Sequence, residues 1–447
     1  MADMEWIGSE ADALKSQLIR WRRDFHRYAE LGWLEMRTTS IVARILYELG
    51  YELQLGRTVC QAEARMGLPS EVQMEEHYAW ARENGADQEF LPYAKGGFTG
   101  VVATLHCGDG PTVALRFDMD ALGVSESCNE SHFPFREGFR SVTEGVMHAC
   151  GHDGHTAIGL GTATLLSRHR EKLKGTIKLI FQPAEEGVRG AEPIVEAGHL
   201  AHVDFALAAH IFPKARGGRD AVAVLPDGLI GGLATTKLDL VFHGKPAHAG
   251  ISPQEGHNAL IAAATAVLNL HAIPRFGNVP TRINVGTLSA GTGRNVICDR
   301  AKIEMEVRGA TVEANDYMES RALQIARGAA SMQGCELDIF RMGAAMTLEN
   351  SPELSALVKK VCAQQLGLNV IESTVLGGGS EDYSFFSRRV IKGGGQSAYV
   401  GLLTTCPQAN HSDEFDFDEG ILSDGVKLFC GMACSLLNAE TKKQLQQ

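Results

Sequence analysis

Hydrophobic positions repeat at helical spacing through the first part of the chain. Apolar residues recur every three or four positions between residues 9 and 49, for example at Leu14, Leu18 and Trp21. This period predicts one amphipathic helical stretch over residues 9–49. The polar segment that follows, residues 51–97, has no clear period, so we assign no element to it.

Short β-rich runs alternate with helical segments in the next part of the chain. The runs that predict strands are residues 99–105, 112–117, 176–181 and 205–209. A helix is expected between the second and third runs, over residues 156–168. Strands that alternate with helices are typical of an α/β layer with a largely parallel sheet.

The pattern changes after about Asp227. Alternating and helical segments then follow in the order βαββαβ, which is the order of a ferredoxin-like split unit. Helix and strand return near the C-terminus, with a strand expected over residues 398–402. We therefore predict an α/β domain formed by residues 1–226 and 343–447, interrupted by a ferredoxin-like α+β domain at residues 227–342.

Composition and charge exclude several classes of protein. The chain has 447 residues, of which 44% are hydrophobic, as is ordinary for a globular protein of more than one domain. Its net charge of -12 argues against nucleic acid or an anionic membrane as a partner. No apolar run approaches the roughly 18 residues of a membrane-spanning helix. Because no secretory signal is visible and the cysteines form no C-x-x-C pair, we expect a reduced, cytoplasmic location.

The densest chemical signal is the segment 148–155, His-Ala-Cys-Gly-His-Asp-Gly-His. It combines three histidines, one cysteine and one aspartate next to the start of a predicted helix. Imidazole and thiolate groups at this density suit a transition-metal site. The alternative is a polar turn in which Asp153 or Thr156 caps the helix.

Other polar side chains lie where predicted strands end: Glu185 and Glu186, His210, and His411. Neighbouring side chains on an extended segment point to opposite sides, so one glutamate could bind a metal while the other transfers protons. Two solvated loop glutamates are the alternative. Ligands of α/β sheets bind at the carboxyl ends of strands. The strand-end cluster that we expect to hold one or two divalent ions comprises Cys150, His152, Glu186, His210 and His411.

Signatures of several competing enzyme classes are absent from the sequence. It contains no G-x-S-x-G, no G-x-x-x-x-G-K-[ST] and no G-x-G-x-x-G segment. These patterns mark serine hydrolases, P-loop enzymes and Rossmann oxidoreductases. The sequence therefore favours metal chemistry over these three alternatives.

Four segments together resemble the M20 metallopeptidases, in the branch of amidohydrolases that act on hippurate and auxin conjugates. They are residues 23–26 (Arg-Asp-Phe-His), 116–122 (Arg-Phe-Asp-Met-Asp-Ala-Leu), 148–155 and 183–186 (Pro-Ala-Glu-Glu). The resemblance extends from about Trp21 to Gly431. It implies an M20-type catalytic α/β domain with an inserted ferredoxin-like domain that serves as lid and dimerisation domain.

The resemblance also implies roles for individual residues. The strand-end cluster would supply the ligands of manganese or zinc, and Glu185 would be the general base. In the inserted domain, His248 would reach the active site of a neighbouring subunit. Asn295 and Arg308 would contact the carboxylate of the substrate.

The reaction implied by the resemblance is metal-dependent hydrolysis of the amide bond of an N-acyl amino acid, with p-aminobenzoyl-glutamate as the expected substrate. A broader hippurate-type N-acyl-amino-acid amidohydrolase is an alternative. A non-catalytic binding subunit is another, against which the intact Glu185 and ligand set argue. The expected partners are the small-molecule substrate, a second copy of the chain paired through the inserted domain, and a homologous second subunit.

Overall fold

The computed structural model describes residues 4–224, 232–372 and 379–438. The chain divides into two compact units. The larger unit comprises Met1–Ile230, Leu348–Gly377 and Asp382–Gln447. The smaller unit comprises Gly231–Thr347 and Gly378–Glu381. The predicted domain boundary at residues 226–227 lies outside the described residues.

Both units combine helices with a sheet. The strands of the described residues are β1 (Glu52–Leu55), β2 (Val101–His106), β3 (Thr112–Asp118), β4 (Thr176–Gln182), β5 (Phe205–Pro213), β6 (Ala221–Val224), β7 (Ala234–His243), β8 (Thr281–Ala290), β9 (Arg300–Gly309), β10 (Glu336–Ala345), β11 (Val370–Glu372) and β12 (Gln396–Thr404). The α-helices are α1 (Glu5–Ala13), α2 (Lys15–Arg27), α3 (Met36–Glu48), α4 (Glu71–Glu83), α5 (Phe133–Arg136), α6 (His152–Arg168), α7 (Ala191–Glu196), α8 (Ala259–His271), α9 (Val312–Met332), α10 (Pro352–Lys360), α11 (Tyr383–Lys392) and α12 (Ile421–Leu436).

The larger unit contains a mixed sheet in the order β1-β2-β4-β3-β5-β12-β6-β11. The central strands β4, β3, β5 and β12 are parallel neighbours. Strands β1 and β2 pair antiparallel on one side, and β6 pairs antiparallel with β12 on the other. The predicted parallel arrangement therefore holds for the centre of the sheet, and antiparallel pairs join the flanking strands to it, although the outer pair β6 and β11 is itself parallel.

The prediction of one helical stretch over residues 9–49 is wrong. Three helices occupy this region, with a break between α2 and α3. In the break, Trp33 has a left-handed backbone with φ 67°. An α-helix cannot contain this conformation, although the hydrophobic period continues on both sides of it.

Helix α6 is buried on nearly all sides at the centre of the larger unit. A Cβ atom at Gly159 would lie 2.8 Å from the Phe117 ring and 2.7 Å from the Phe181 ring. Only glycine permits this close approach of the helix to β3 and β4. The approach places His152, the first residue of α6, beside the carboxyl end of β3. There the His152 ring donates a hydrogen bond to the backbone oxygen of Asp120.

The segment 51–97, which has no period in the sequence, is a packed part of the larger unit. It contains β1 and α4, and α4 begins with a capping box formed by Ser70 and Gln73. Ala81 and Leu91 of this segment bury against Leu34 and Met36. None of the helices within the described ranges is long and apolar enough to cross a membrane.

The smaller unit is an antiparallel sheet in the order β10-β7-β9-β8, with α8 and α9 packed against it. The order of its elements, βαββαβ, agrees with the ferredoxin-like pattern in the sequence. Strand β10 pairs with β7 over nearly its whole length, from Glu336 to Ala345. Strand β8 forms one edge of this sheet.

Candidate metal centre

Parallel pairing brings the carboxyl ends of β3, β4 and β5 to one edge of the sheet, where polar side chains converge. Glu185 and Glu186 lie three and four residues after the last residue of β4. His210 was expected just after its strand, but it lies inside β5, which continues to Pro213. The strand is longer than its apolar run because β12 pairs with it through Pro213.

The five residues of the strand-end cluster lie close together. Cys150 belongs to two groups of ligand atoms, and the atoms of each group lie within 4.8 Å of one another. One group is Cys150, His152 and His210, and the other is Cys150, Glu186 and His411. The Cys150 Sγ atom is 3.4 Å from His210 Nε2, and His411 Nε2 is 3.5 Å from Glu186 Oε1.

Hydrogen bonds at the far ring nitrogen orient two of these histidines. His152 Nδ1 donates to the backbone oxygen of Asp120 at 2.9 Å, and His210 Nδ1 donates to that of Ile211 at 2.7 Å. The lone pair of each Nε2 therefore faces the cluster, as in metal-bound histidines. Among the described residues, the buried His152 Nε2 and Glu186 Oε1 have no hydrogen-bond partner. These unpartnered acceptor atoms fit a bound cation.

The electrostatics differ among the cluster histidines. Cys150 and Glu186 raise the pKa of His411 to about 10. At His152 burial opposes the charged form, but Asp118 and Asp120 raise the pKa well above its ordinary value, so a bound cation would replace a proton on both rings. Burial, together with the neighbouring His155 and His152, lowers the pKa of His210 well below its ordinary value. The ring is therefore neutral at pH 7 and offers a lone pair. A donor set of one cysteine, three histidines and one glutamate suits a borderline-soft divalent ion.

A third close group, Asp118, His152 and His155, is a weaker candidate. Both ring nitrogens of His155 are already engaged: Nδ1 bonds to Asp118 Oδ1 at 2.5 Å, and Nε2 accepts the N–H of Ile211 at 2.9 Å. A nitrogen that accepts an N–H has no lone pair left for a metal. His155 therefore holds the backbone of β5 beside His210.

The two glutamates do not point to opposite sides, as an extended segment would require. One oxygen of each carboxylate lies with a His152 nitrogen in a single group within 4.8 Å. The alternation fails because β4 ends at Gln182 and Ala184 has a left-handed backbone with φ 51°. Both carboxylates therefore face the cluster.

Two buried carboxylates hold this pair of glutamates, and we did not single out either of them from the sequence. Asp120 accepts the N–H groups of Glu185 at 3.0 Å and of Glu186 at 2.8 Å. Glu35 accepts the N–H of Ala184 at 2.7 Å. Burial and the nearby Asp120 raise the pKa of Glu35 to about 8. Asp120 follows a buried strand and belongs to the segment 116–122 that carries the family resemblance, and either of these sequence signals could have found it.

The loop after β12 is tied to the segment before α6. Asn410 Nδ2 donates to Cys150 Sγ at 3.5 Å, and His411 N–H donates to the Ala149 oxygen at 2.7 Å. His411 has a left-handed backbone with φ 69°, which its neighbours must stabilise. The sequence contains no signal for the Asn410 contact beyond its place next to His411.

The remaining predicted residues lie in the smaller unit. Ala249, next to His248, donates its N–H to the Asn295 oxygen at 3.0 Å, so His248 and Asn295 lie on adjacent segments, and both are exposed. His248 Nδ1 accepts the Gly250 N–H at 3.1 Å, so a neutral ring carries its proton on Nε2.

Arg308 forms two hydrogen bonds with Glu306, at 2.9 and 3.0 Å. Its guanidinium therefore already binds a carboxylate in a two-pronged geometry.

Comparison with known proteins decides the family. Residues 114–435 match the model of Peptidase family M20/M25/M40. The chain belongs to this family. It is 46% identical over 426 residues to a p-aminobenzoyl-glutamate hydrolase subunit of Escherichia coli strain K12, and the match covers 95% of this chain and 97% of that protein. It is 44% identical over 416 residues to indole-3-acetyl-aspartic acid hydrolase of Enterobacter agglomerans, covering 93% and 94% respectively.

A solved structure agrees with this assignment. The chain is similar to the crystal structure of the aminobenzoyl-glutamate utilization protein from Klebsiella pneumoniae, with a TM-score of 0.80 and 39% identity. The match covers 96% of this chain and 98% of that one. The predicted M20 membership and the predicted activity class are confirmed. This M20 protein is a metal-dependent amidohydrolase that cleaves the amide bond of acyl amino acids.

A buried network of charges fixes the first turn of α6 in this M20 hydrolase. Arg22 bonds to Asp153 at 2.9 Å and to Asp416 at 2.6 Å. His26 bonds to Asp153 and to Glu126, both at 2.9 Å. Burial opposes the charged form of His26, but these two carboxylates raise its pKa to about 9. The charged imidazole therefore stabilises the start of the helix that carries His152.

This network predicts a pH-dependent contribution to stability. The folded-state pKa of His26 lies above its ordinary value, so its contribution is complete below about pH 6.5 and is lost as the pH rises through about 9. The variant His26→Gln should lower the free energy of unfolding by about 3 kcal/mol more at pH 6 than at pH 10. Urea unfolding of both proteins at the two pH values measures this difference. An equal loss at both would show that His26 is neutral in the folded protein.

Proposed function

We propose that the chain hydrolyses p-aminobenzoyl-glutamate to p-aminobenzoate and glutamate. The proposal rests on one observation. The strand-end cluster, whose five residues are candidate metal ligands, lies beside Glu185, which is a candidate proton acceptor. The names of both similar hydrolases describe an aromatic acyl group joined to an acidic amino acid. That shared chemistry favours an acyl-glutamate over hippurate, whose amino acid is glycine.

We propose that the cluster binds one or two divalent ions, manganese or zinc. Cys150 is common to the two ligand groups, so its sulfur is placed to serve either ion or both. The unpartnered His152 Nε2 and Glu186 Oε1 would gain a partner on binding. When bound, such an ion polarises the amide carbonyl and makes water easier to deprotonate.

Glu185 is the proposed general base. Its side chain is nearly buried, and its Oε2 lies 3.9 Å from His152 Nε2. It belongs to neither of the two ligand groups that contain Cys150. One of its oxygens lies within 4.8 Å of ligand atoms of His152 and Glu186, and from this position the carboxylate would take a proton from the attacking water and pass it to the leaving nitrogen.

We assign substrate binding to the smaller unit. His248 carries its proton on Nε2, and this N–H is suited to donate to the oxyanion that develops at the amide carbonyl. Asn295 and Arg308 are proposed to bind the carboxylate on the α-carbon of the glutamate. Arg308 would then exchange the Glu306 carboxylate for that of the substrate in the same two-pronged geometry.

The proposed assembly is a homodimer in which each His248 completes the site of the other chain. The edge strand β8 leaves backbone N–H and C=O groups unpaired along one side of the smaller unit, and such edges pair readily with a second copy. A homologous second subunit is a further proposal, because the name of the similar Escherichia coli protein describes one subunit of a hydrolase. The cytoplasmic location stays a prediction from the sequence.

A substrate panel tests the proposed function. The purified chain, supplied with Mn²⁺ or Zn²⁺, is assayed on p-aminobenzoyl-glutamate, p-aminobenzoyl-glycine and hippurate. We expect kcat/KM for the acyl-glutamate to exceed that for both glycine conjugates by at least about tenfold, because only the acyl-glutamate carries a side-chain carboxylate and a hydrogen bond to a charged group contributes about 1.5–3 kcal/mol. Equal rates on all three would replace the proposal with a hippurate-type hydrolase.

The matched variants Glu185→Gln and Glu186→Gln belong to the same assay. Glu185→Gln should retain its metal and lose a factor of about 10²–10⁴ in kcat, since only proton transfer is removed. Glu186→Gln should lose metal as well as activity. Elemental analysis beside kinetics separates the two effects, and near-normal turnover in Glu185→Gln would remove that residue as the base.

A mixing experiment tests the shared site. Glu185→Gln and His248→Ala should each be nearly inactive alone. When the two variants are coexpressed with different tags, one site of each mixed dimer regains both an intact Glu185 and an intact His248. Activity of the doubly tagged fraction should therefore return to a substantial fraction of wild type. If that fraction is isolated and remains inactive, His248 does not act across a dimer.

A further inference from the structure

Arg189 joins two parts of the larger unit that are far apart in sequence. The first part is the glutamate loop, residues 183–190, which carries Glu185 and Glu186. The second is residues 56–97, which we name the insert segment and which is not part of the inserted ferredoxin-like domain. Neither the sequence nor the proposed function supplies a role for it. The Arg189 Nε atom donates to the Glu186 backbone oxygen at 3.1 Å, and Nη1 donates to the Gly67 oxygen at 2.6 Å.

The glutamate loop needs support from outside itself. Ala184 and Val188 both have left-handed backbones, with φ 51° and 59°. This conformation is costly for any residue with a Cβ atom, and most of all for β-branched valine. The loop closes on itself through Val188 N–H, which donates to the Glu185 backbone oxygen at 2.6 Å. A strained turn of this kind keeps one shape only while neighbouring groups hold it.

One side of the loop is held by Asp120 and Glu35, which accept its backbone N–H groups. Arg189 lies on the side of the loop that faces the insert segment. Its guanidinium donates two hydrogen bonds to backbone carbonyl oxygens rather than to carboxylates. A planar guanidinium holds two acceptors in a fixed relation, which a flexible ammonium group does not. Arg189 therefore sets the position of the Glu186 backbone relative to Gly67.

The acceptor on the insert segment is itself well anchored. The buried Trp33 donates from Nε1 to the Met66 oxygen at 2.8 Å. Gln61 N–H donates to the Pro193 oxygen at 3.0 Å, and His199 Nε2 donates to the Thr58 oxygen at 2.7 Å. The stretch up to Gly67 is thus bound at several points, to Trp33 and to the residues that follow the glutamate loop.

We propose that Arg189 is a positioning residue, through which the insert segment fixes the backbone of Glu186 and thereby the directions of both glutamate carboxylates. The inference rests on the proposed roles of Glu185 and Glu186. It assigns to the insert segment the task of supporting the glutamate loop, in place of a direct contact with substrate.

The test compares Arg189→Met with Arg82→Met in the full-length protein. Methionine keeps a long stem but has no donor, and the exposed Arg82 lies on α4 of the same insert segment.

Co²⁺ alone is the probe, because its visible absorption reports ligand geometry. In Arg189→Met we expect Co²⁺ binding weakened by about tenfold, an altered visible spectrum and faster hydrogen exchange in residues 183–190. On substrate, kcat should fall while KM changes little. Arg82→Met should match wild type.

The outcomes separate this inference from a structural role and from the proposed function. A lower melting temperature in Arg189→Met, with unchanged Co²⁺ affinity, spectrum and kcat, would overturn it. If the wild-type protein hydrolyses none of the substrates, Co²⁺ binding and hydrogen exchange still decide the matter. Should Arg189→Met fail to fold, Arg189→Lys replaces it, since a flexible ammonium group does not hold two acceptors in the fixed relation that the guanidinium imposes. Weaker Co²⁺ binding in that variant supports the inference, and wild-type affinity contradicts it.

Discussion

Parallel pairing of β4, β3, β5 and β12 brings the carboxyl ends of four strands to one edge of the sheet. The proposed metal site of the larger unit depends on this constraint. The glutamates follow β4, His210 lies near the end of β5, and His411 follows β12. Helix α6 completes the set because Gly159 lets it approach the sheet closely. Residues more than 200 positions apart in sequence thereby share one site.

Around the site, backbone atoms and other polar side chains satisfy most buried polar groups, although both ring nitrogens of the buried His148 have no hydrogen-bond partner among the described residues. His152 and His210 donate to carbonyl oxygens, Asp120 accepts two N–H groups, and Arg22 and His26 neutralise Asp153. An unpaired buried charge is costly, so each of these contacts both stabilises the fold and orients a functional group. Within the described part of the chain, the cluster atoms that lack partners are His152 Nε2 and Glu186 Oε1, which belong to two of the proposed metal ligands.

The sequence predicts the parts of this site that depend on local density or on strand ends. The crowding of His148–His155 and the strand preceding Glu185 were sufficient to identify most of the cluster. The direction of the glutamates was not predictable, because nothing in the sequence marks Ala184 as left-handed. The break at Trp33 and the contacts of Arg189 and Asn410 depend on distant segments, and such contacts leave no period in a sequence.

The central claim is that one metal centre forms at this edge with Cys150 as a ligand. X-ray absorption at the zinc edge of the zinc-loaded protein tests it most directly, since a bound thiolate places sulfur at about 2.3 Å from zinc. We predict this sulfur shell in the wild type and in Cys430→Ser, whose cysteine is buried in the apolar core, and its loss in Cys150→Ser. A wild-type spectrum with nitrogen and oxygen neighbours alone, or a sulfur shell that survives in Cys150→Ser, would contradict the account.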